Sequence, residues 1–335
     1  MIAYYQGDDQ RIENYKLDQL THLIYSFLHL DGNRLAVDDA ADSITIMKLT
    51  SYKSKYPDLK VYLALGGWGG CATCFDVFNT VEGRIDFAKS TREILEQYNA
   101  DGIDLDWEYP GIEGLPGHIY RKEGKHNFTL LVRELRMALG DDYDISFAAG
   151  GFPEFFDHSI EWDSVMPLVD RVNLMSYDLV NGYATRAGHH TSLYSTPEQV
   201  LSMDYGVRYL DSLGVPRSKI VVGAAFYSRH FETTSSERNG LYQDARFVAA
   251  LNFYEMDSLS NNGYETFWDS IAKAPYKYSQ AEKTFVSYDD RQSVALKTQY
   301  ALDQELKGIM FWELPCDSYE DGLLNAIYQT ARKDQ

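Results

Sequence analysis

Asp101-Gly-Ile-Asp-Leu-Asp-Trp-Glu-Tyr-Pro110 is the stretch on which the reading of the whole chain turns. Asp104, Asp106 and Glu108 alternate with Ile103, Leu105 and Trp107. A period of two is that of a strand, with three carboxyl groups on one face and three large apolar side chains on the other. Neighbours on one strand face stand roughly 6.5–7 Å apart. Three buried like charges in such a row are strongly unfavourable, so at least one group is expected to keep a proton near pH 7. A neutral carboxylic acid beside an ionised one is what cleavage of an acetal or glycoside requires. The plainer alternative is an edge strand with a solvated acidic face. The apolar opposite face and the closing Tyr109-Pro110 speak against it.

The surrounding 335 residues suit one large domain, or one domain carrying an insertion. The formal net charge of −19 argues against nucleic acid or an anionic membrane as partner. No run of 18 apolar residues marks a membrane span. The 26 tyrosines and 16 phenylalanines supply core, and also flat amphipathic rings of the kind that hold sugars. Cys71-Ala-Thr-Cys74 has C-x-x-C spacing, but no second pair or histidine cluster completes a zinc site, so free thiols and a local disulfide both stay open. No signal peptide precedes Ile2. We expect a secreted or periplasmic domain whose export signal has been removed, with a cytoplasmic protein as the alternative.

Moving outward from the acidic strand, short apolar runs recur at Ile2–Tyr5, His22–Phe27, Lys60–Leu65, Gly102–Trp107, Asp144–Ala149, Arg171–Ser176, Ile220–Phe226 and Gly308–Trp312. Helical periodicity fits Ile44–Tyr56, Glu82–Tyr98, His126–Leu139, Pro197–Leu213, Ser293–Leu306 and Tyr319–Lys333. Eight strands alternating with helices predict the α/β class and a (β/α)8 TIM barrel. The interval between the last two strands is too long for one crossover helix. It predicts a small α+β insertion over 230–284, forming one wall of a cleft, between barrel segments 1–229 and 285–335.

On such a barrel, chemistry belongs at the C-terminal strand ends. Strand three ends in Gly66-Gly67-Trp68, strand four in Asp104, Asp106 and Glu108, and strand six in Met175-Ser-Tyr177-Asp178. Strand seven ends in Phe226-Tyr227-Ser-Arg229 and strand eight in Trp312-Glu313. Any one of these aromatics is ordinary core taken alone. Together they outline an acidic cleft lined with rings.

Asp101-x-x-Asp104-x-Asp106-x-Glu108 resembles the catalytic signature of family 18 glycoside hydrolases, the chitinases. Asn173-Leu-Met-Ser-Tyr177-Asp178, Tyr288-Asp-Asp290 with Ser293 and Lys297, Gly308-Ile-Met-Phe-Trp312 and Ala274-Pro275-Tyr276 extend the resemblance in order from about Ile2 to Leu324. It implies hydrolysis of β-1,4-linked N-acetylglucosamine polymers by a monomer, without cofactor or metal. It also implies a substrate-assisted route, in which the sugar's own acetamido oxygen attacks C1 and forms an oxazolinium ion. In that reading Glu108 is the acid and then the base. Asp106 orients the acetamido group, Asp104 shares a proton with Asp106, and Tyr177 donates to the acetamido carbonyl. Trp312 floors the sugar, with Met175 and Asp178 beside it. Trp68 and Tyr183 extend the leaving-group side, and Arg229 contacts the chain. Tyr4 or Tyr5 faces the barrel interior; parity alone does not separate them, and Tyr5 is carried as the site candidate.

One position departs from the family pattern. Strand three usually ends in Ser-x-Gly-Gly, the serine helping to hold the innermost aspartate, and here that position is Ala64. A missing partner for an ionised carboxylate costs on the order of 1–3 kcal/mol. A strand-one tyrosine or a water is expected to compensate. Two other functions compete: a non-catalytic chitin-binding lectin, which the intact set of carboxyl groups opposes, and an endo-β-N-acetylglucosaminidase acting on N-glycans, which the insertion, Trp68 and Trp312 oppose.

Overall fold

The computed structural model describes residues 1–332. Eight parallel strands form a closed barrel: β1 (Ile2–Tyr5), β2 (His22–Asp31), β3 (Lys60–Gly66), β4 (Gly102–Asp106), β5 (Asp144–Gly150), β6 (Arg171–Met175), β7 (Ile220–Ala225) and β8 (Gly308–Trp312). Each pairs with the next, and β1 closes the ring by pairing with both β8, at Ile2–Met310, and β2, at Ile2–His22. The fold is the TIM barrel that the strand pattern predicts.

Strand parity divides the core in two. Ile2, Tyr4, Ile24, Tyr62, Ala64, Val221 and Met310 pack inside the barrel. Ala3, Tyr5, Leu23, Leu63, Ile103 and Leu105 pack outward against the helices. The inner floor is polar: the buried Arg171 guanidinium donates to the Tyr62 hydroxyl, which donates to Asp144.

Several outer helices begin where a side chain caps them. Asp39 accepts from Ala41 and Asp42 at the start of α1 (Ala40–Ser51), and Thr80 from Gly83 at the start of α2 (Val81–Tyr98). The helix α3 (Glu123–Leu139) follows β4. Several boundaries differ from the periodicity, and α1 runs over Ala40–Ser51 rather than Ile44–Tyr56 because Asp39 caps it early. The helix expected from Pro197 starts only at Met203, as α4 (Met203–Ser212), capped by Ser202. Gln199 ties the preceding stretch into a loop by donating to the His189 and Leu201 carbonyls. After α5 (Arg291–Asp303), the last helix starts at Leu323 rather than Tyr319, because Asp317 accepts from the Leu323 and Leu324 amides. Its expected end at Lys333 lies outside the described residues.

Between β7 and α5 stands a separate five-stranded antiparallel sheet. Its strands are Arg229–Thr233, Ala245–Ala249, Glu265–Asp269, Ala274–Ser279 and Thr284–Ser287. Phe231, Leu241, Tyr276, Tyr278 and Phe285 form its own core. Cys71 and Cys74 are joined as a disulfide, and Cys316 is free and buried. Among the described residues no helix is long and apolar enough to cross a membrane, and no cluster of His, Cys, Asp or Glu could hold a metal ion.

Candidate active site

β4 carries two of the three carboxyl groups into the barrel, and the third stands just past its end. Asp104 is fully buried. Its Oδ2 accepts from the Tyr4 hydroxyl at 2.8 Å, and its Oδ1 from Ser146 at 2.6 Å and Asn173 at 2.9 Å. Ala64, opposite Asp104 in the β3–β4 register, offers nothing, so donors from β1, β5 and β6 do the work of the absent serine. Burial raises the Asp104 pKa, although these hydrogen bonds and the Arg171 charge pull it back.

Tyr5 is thereby corrected as a site candidate. It points outward into the layer beneath the helices, and its hydroxyl donates to the Asp8 carbonyl at 2.5 Å. The alternation that turns Tyr4 inward necessarily turns Tyr5 away.

Asp106 is buried, and its Oδ1 has no hydrogen-bond partner. Burial, then the charges of Glu108 and Asp104, hold its pKa well above the usual carboxylate range. No hydrogen bond joins Asp106 to Asp104 among the described residues. The Asp104 oxygens accept from Tyr4, Ser146 and Asn173. Glu108 is raised to about 7, by burial first and also by the nearby Asp178 charge, against a hydrogen bond from Tyr109.

Across the barrel mouth, Asp178 follows β6 with a left-handed φ of 53°. Burial alone would raise its pKa. Arg229 and His190 reverse that and hold it well below the usual range. Arg229 donates to both Asp178 oxygens at 2.7 Å, and the Tyr227 hydroxyl to Oδ2 at 2.8 Å. The Arg229 guanidinium also lies over the Tyr227 ring at 5.0 Å, so its main engagement is with Asp178. Tyr177 is buried beside Tyr227, and burial, followed by the surrounding carboxyl groups, raises its pKa well above the usual value, which keeps its hydroxyl a donor.

Rings complete the surface. Trp312 stacks on Phe27 at 5.5 Å and leans on Tyr4 at 5.8 Å, with Met175 against the same inner cluster. Outside, Trp68 is 40% exposed, with Tyr109 at 6.2 Å and Tyr183 at 6.5 Å. Asp104, Asp106, Glu108, Met175, Tyr177, Asp178, Arg229 and Trp312 thus converge at the barrel mouth, with Trp68 and Tyr183 at its rim. Sequence reasoning missed Ser146, Phe27 and His190, and named Tyr227 only as part of the strand-seven end, without its bond to Asp178. Ser146 was legible in principle, since β5 parity places it beside Asp104.

The arrangement can donate a proton, orient a polar group with a second carboxyl, and stack flat rings against a substrate. Similarity to known proteins agrees with this chemistry. A family model described as Glycosyl hydrolases family 18 matches residues 1–317. Chitinase A1 of Niallia circulans is 33% identical over 299 residues, covering 81% of this chain and 42% of that protein. The chain therefore spans less than half the length of that relative. Among solved structures, a family 18 N-acetylglucosaminidase from Paenibacillus barengoltzii superposes with a TM-score of 0.88 at 34% identity, covering 98% of each chain. Chitinase ChiA74 from Bacillus thuringiensis superposes with a TM-score of 0.91 at 26% identity, covering 98% of this chain and 69% of that one.

Proposed function

The chain belongs to glycosyl hydrolases family 18, and from that premise we propose that it is a chitinase, hydrolysing β-1,4-linked N-acetylglucosamine polymers with retention through an oxazolinium intermediate. The observation that carries this reading is the bare Asp106 Oδ1. A buried acceptor without a partner costs about 1–3 kcal/mol. An acetamido N–H delivered by the substrate would satisfy it.

Glu108, protonated up to about pH 7, gives its proton to the glycosidic oxygen. The acetamido carbonyl oxygen, held by Asp106 through the N–H and by the Tyr177 hydroxyl, attacks C1 as the leaving sugar departs. Positive charge grows on the oxazolinium and favours ionisation of Asp106 beside it. Asp104, anchored by Tyr4, Ser146 and Asn173, stays behind Asp106 as a second negative centre. Glu108 then takes a proton from the incoming water, which opens the ring. Trp312 and Met175 floor the reacting sugar. Trp68 and Tyr183 hold the leaving-group side, and the five-stranded sheet walls the cleft. The Cys71–Cys74 disulfide supports an oxidising compartment, hence export.

Glu108→Gln should lower chitooligosaccharide turnover about 10²–10⁴-fold, the usual contribution of a general acid, while leaving oligosaccharide affinity in place. Unchanged turnover would overturn the proposal. The 34% identity to an N-acetylglucosaminidase supports a second reading, release of single sugars. The products formed from chitohexaose decide between them: monomer from the outset, or dimers and longer pieces.

A further inference from the structure

Trp68 stands on a loop that should not hold it firmly. Gly66, Gly67, Gly69 and Gly70 surround it, with φ of 110° at Gly66 and 81° at Gly67. Glycine leaves the backbone more freedom than any other residue. The neighbouring rings of the rim, Tyr109 and Tyr183, have centroids more than 6 Å from the exposed Trp68 ring.

The backbone beside it is held by the Gly67 amide, which donates to the Asp106 carbonyl at 2.9 Å, and by the Gly70 amide, which donates to the Gly67 carbonyl at 3.0 Å; a further tie lies at the far end of the loop. The chain doubles back so closely that a Cβ on Gly70 would stand 2.0 Å from the Gly66 carbonyl oxygen. A Cβ on Gly66 would stand 2.3 Å from the Asp106 carbonyl oxygen and 3.1 Å from the Cys71 sulfur. The Cys71 sulfur is therefore packed against the turn that leads into Trp68, at the level of Asp106. Its disulfide partner Cys74 opens a short helix, Cys74–Phe78. Phe78 of that helix packs on Trp107 at 5.5 Å, one residue before Glu108. Phe75 of the same helix carries Arg121, from the loop after β4, over its ring at 5.7 Å.

A bridge between residues only three apart closes a very small loop, so its effect on the unfolded chain is at the low end for disulfides. Its consequence is local. We propose that the Cys71–Cys74 disulfide is a positioning element that ties the Trp68 loop to the packing beneath Glu108, and so sets how firmly the enzyme grips sugars on the leaving-group side. This rests on the reading of Trp68 as a sugar platform.

The test compares the wild type with C71A/C74A and with C71S/C74S, which keeps the side chains close in size. Two substrates are used: chitohexaose, and a β-chitobiosyl fluoride whose leaving group presents no ring to Trp68. The expected result is a loss of fivefold or more in kcat/KM on chitohexaose, mainly through KM, and less than twofold on the fluoride. Trp68→Ala should give a similar loss, and adding it to either double variant should cause little more. Equal losses on both substrates, no loss on either, or additive losses would overturn the proposal. Hydrogen exchange supplies a readout independent of turnover: amides of residues 66–78 should exchange at least tenfold faster without the disulfide, with β5 and β6 unchanged. Unchanged exchange at 66–78 would also overturn it. A wild type that cleaves neither substrate would instead refute the chitinase reading, leaving exchange to decide the positioning role.

Discussion

Glu108 keeps its proton toward neutral pH for two reasons of different kinds: burial, which disfavours its charge, and Asp178, whose negative charge does the same. Activity that needs its proton should fall as pH rises through about 7. Asp178→Asn removes the repulsion, so the pKa of Glu108 should drop and the alkaline limb of kcat/KM should move to lower pH. A pH–rate profile checks this, and an unmoved limb would remove Asp178 from the control of Glu108. At this scale much was legible, since the period-two carboxyl groups announce their shared face. Tyr4 and Tyr5 were not separable, because adjacent strand residues of the same type carry no mark of which faces inward. Of the three hydrogen bonds that replace the missing serine, the one from a strand-one tyrosine was expected and comes from Tyr4, and that from Ser146 follows from strand parity, whereas the one from Asn173 on β6 carried no separate mark.

Among the elements, α5 is bound to the barrel by a fully buried ion pair. Lys297 Nζ lies 2.7 Å from both Asp289 oxygens and also donates to the Thr191 carbonyl at 2.6 Å. Asp289 Oδ2 in turn accepts from the Ala225 amide at the end of β7, at 3.1 Å, and from the Thr191 hydroxyl, at 2.8 Å. One pair thus joins a helix, a strand end and the loop carrying His190. Lys297→Met leaves a buried carboxylate without its cation and should cost about 3–5 kcal/mol, read as a lower denaturant midpoint. A change below about 1 kcal/mol would mean that Asp289 is held by its hydroxyl and amide donors alone. Strand positions were predicted within a few residues because buried parallel strands read as apolar runs. Helix starts were less legible, because Gln199 and Asp317 decide them through bonds to backbone groups rather than through periodicity.

At the scale of the molecule, the barrel and its surplus segment between β7 and α5 follow from the spacing of apolar runs. The path of that segment does not. Its sheet begins at Arg229, itself bonded to Asp178, and its strand Glu265–Asp269 reaches back to His189 through Asp269 at 3.1 Å. Replacing Thr233–Lys283 by a short linker should therefore reduce activity on polymeric chitin more than on a dimer-based substrate. Equal losses would make the sheet a structural support only. The proposed chemistry itself places the nucleophile on the substrate, not on the protein. Its most direct test is the rate of hydrolysis of the 4-nitrophenyl β-glycoside of chitobiose beside the analogue whose reducing-end sugar carries a free amine in place of the acetamido group. Substrate-assisted attack at the barrel mouth requires the amine analogue to be cleaved at least a thousandfold more slowly. Cleavage at a comparable rate would contradict it and send the search for a nucleophile back to the protein.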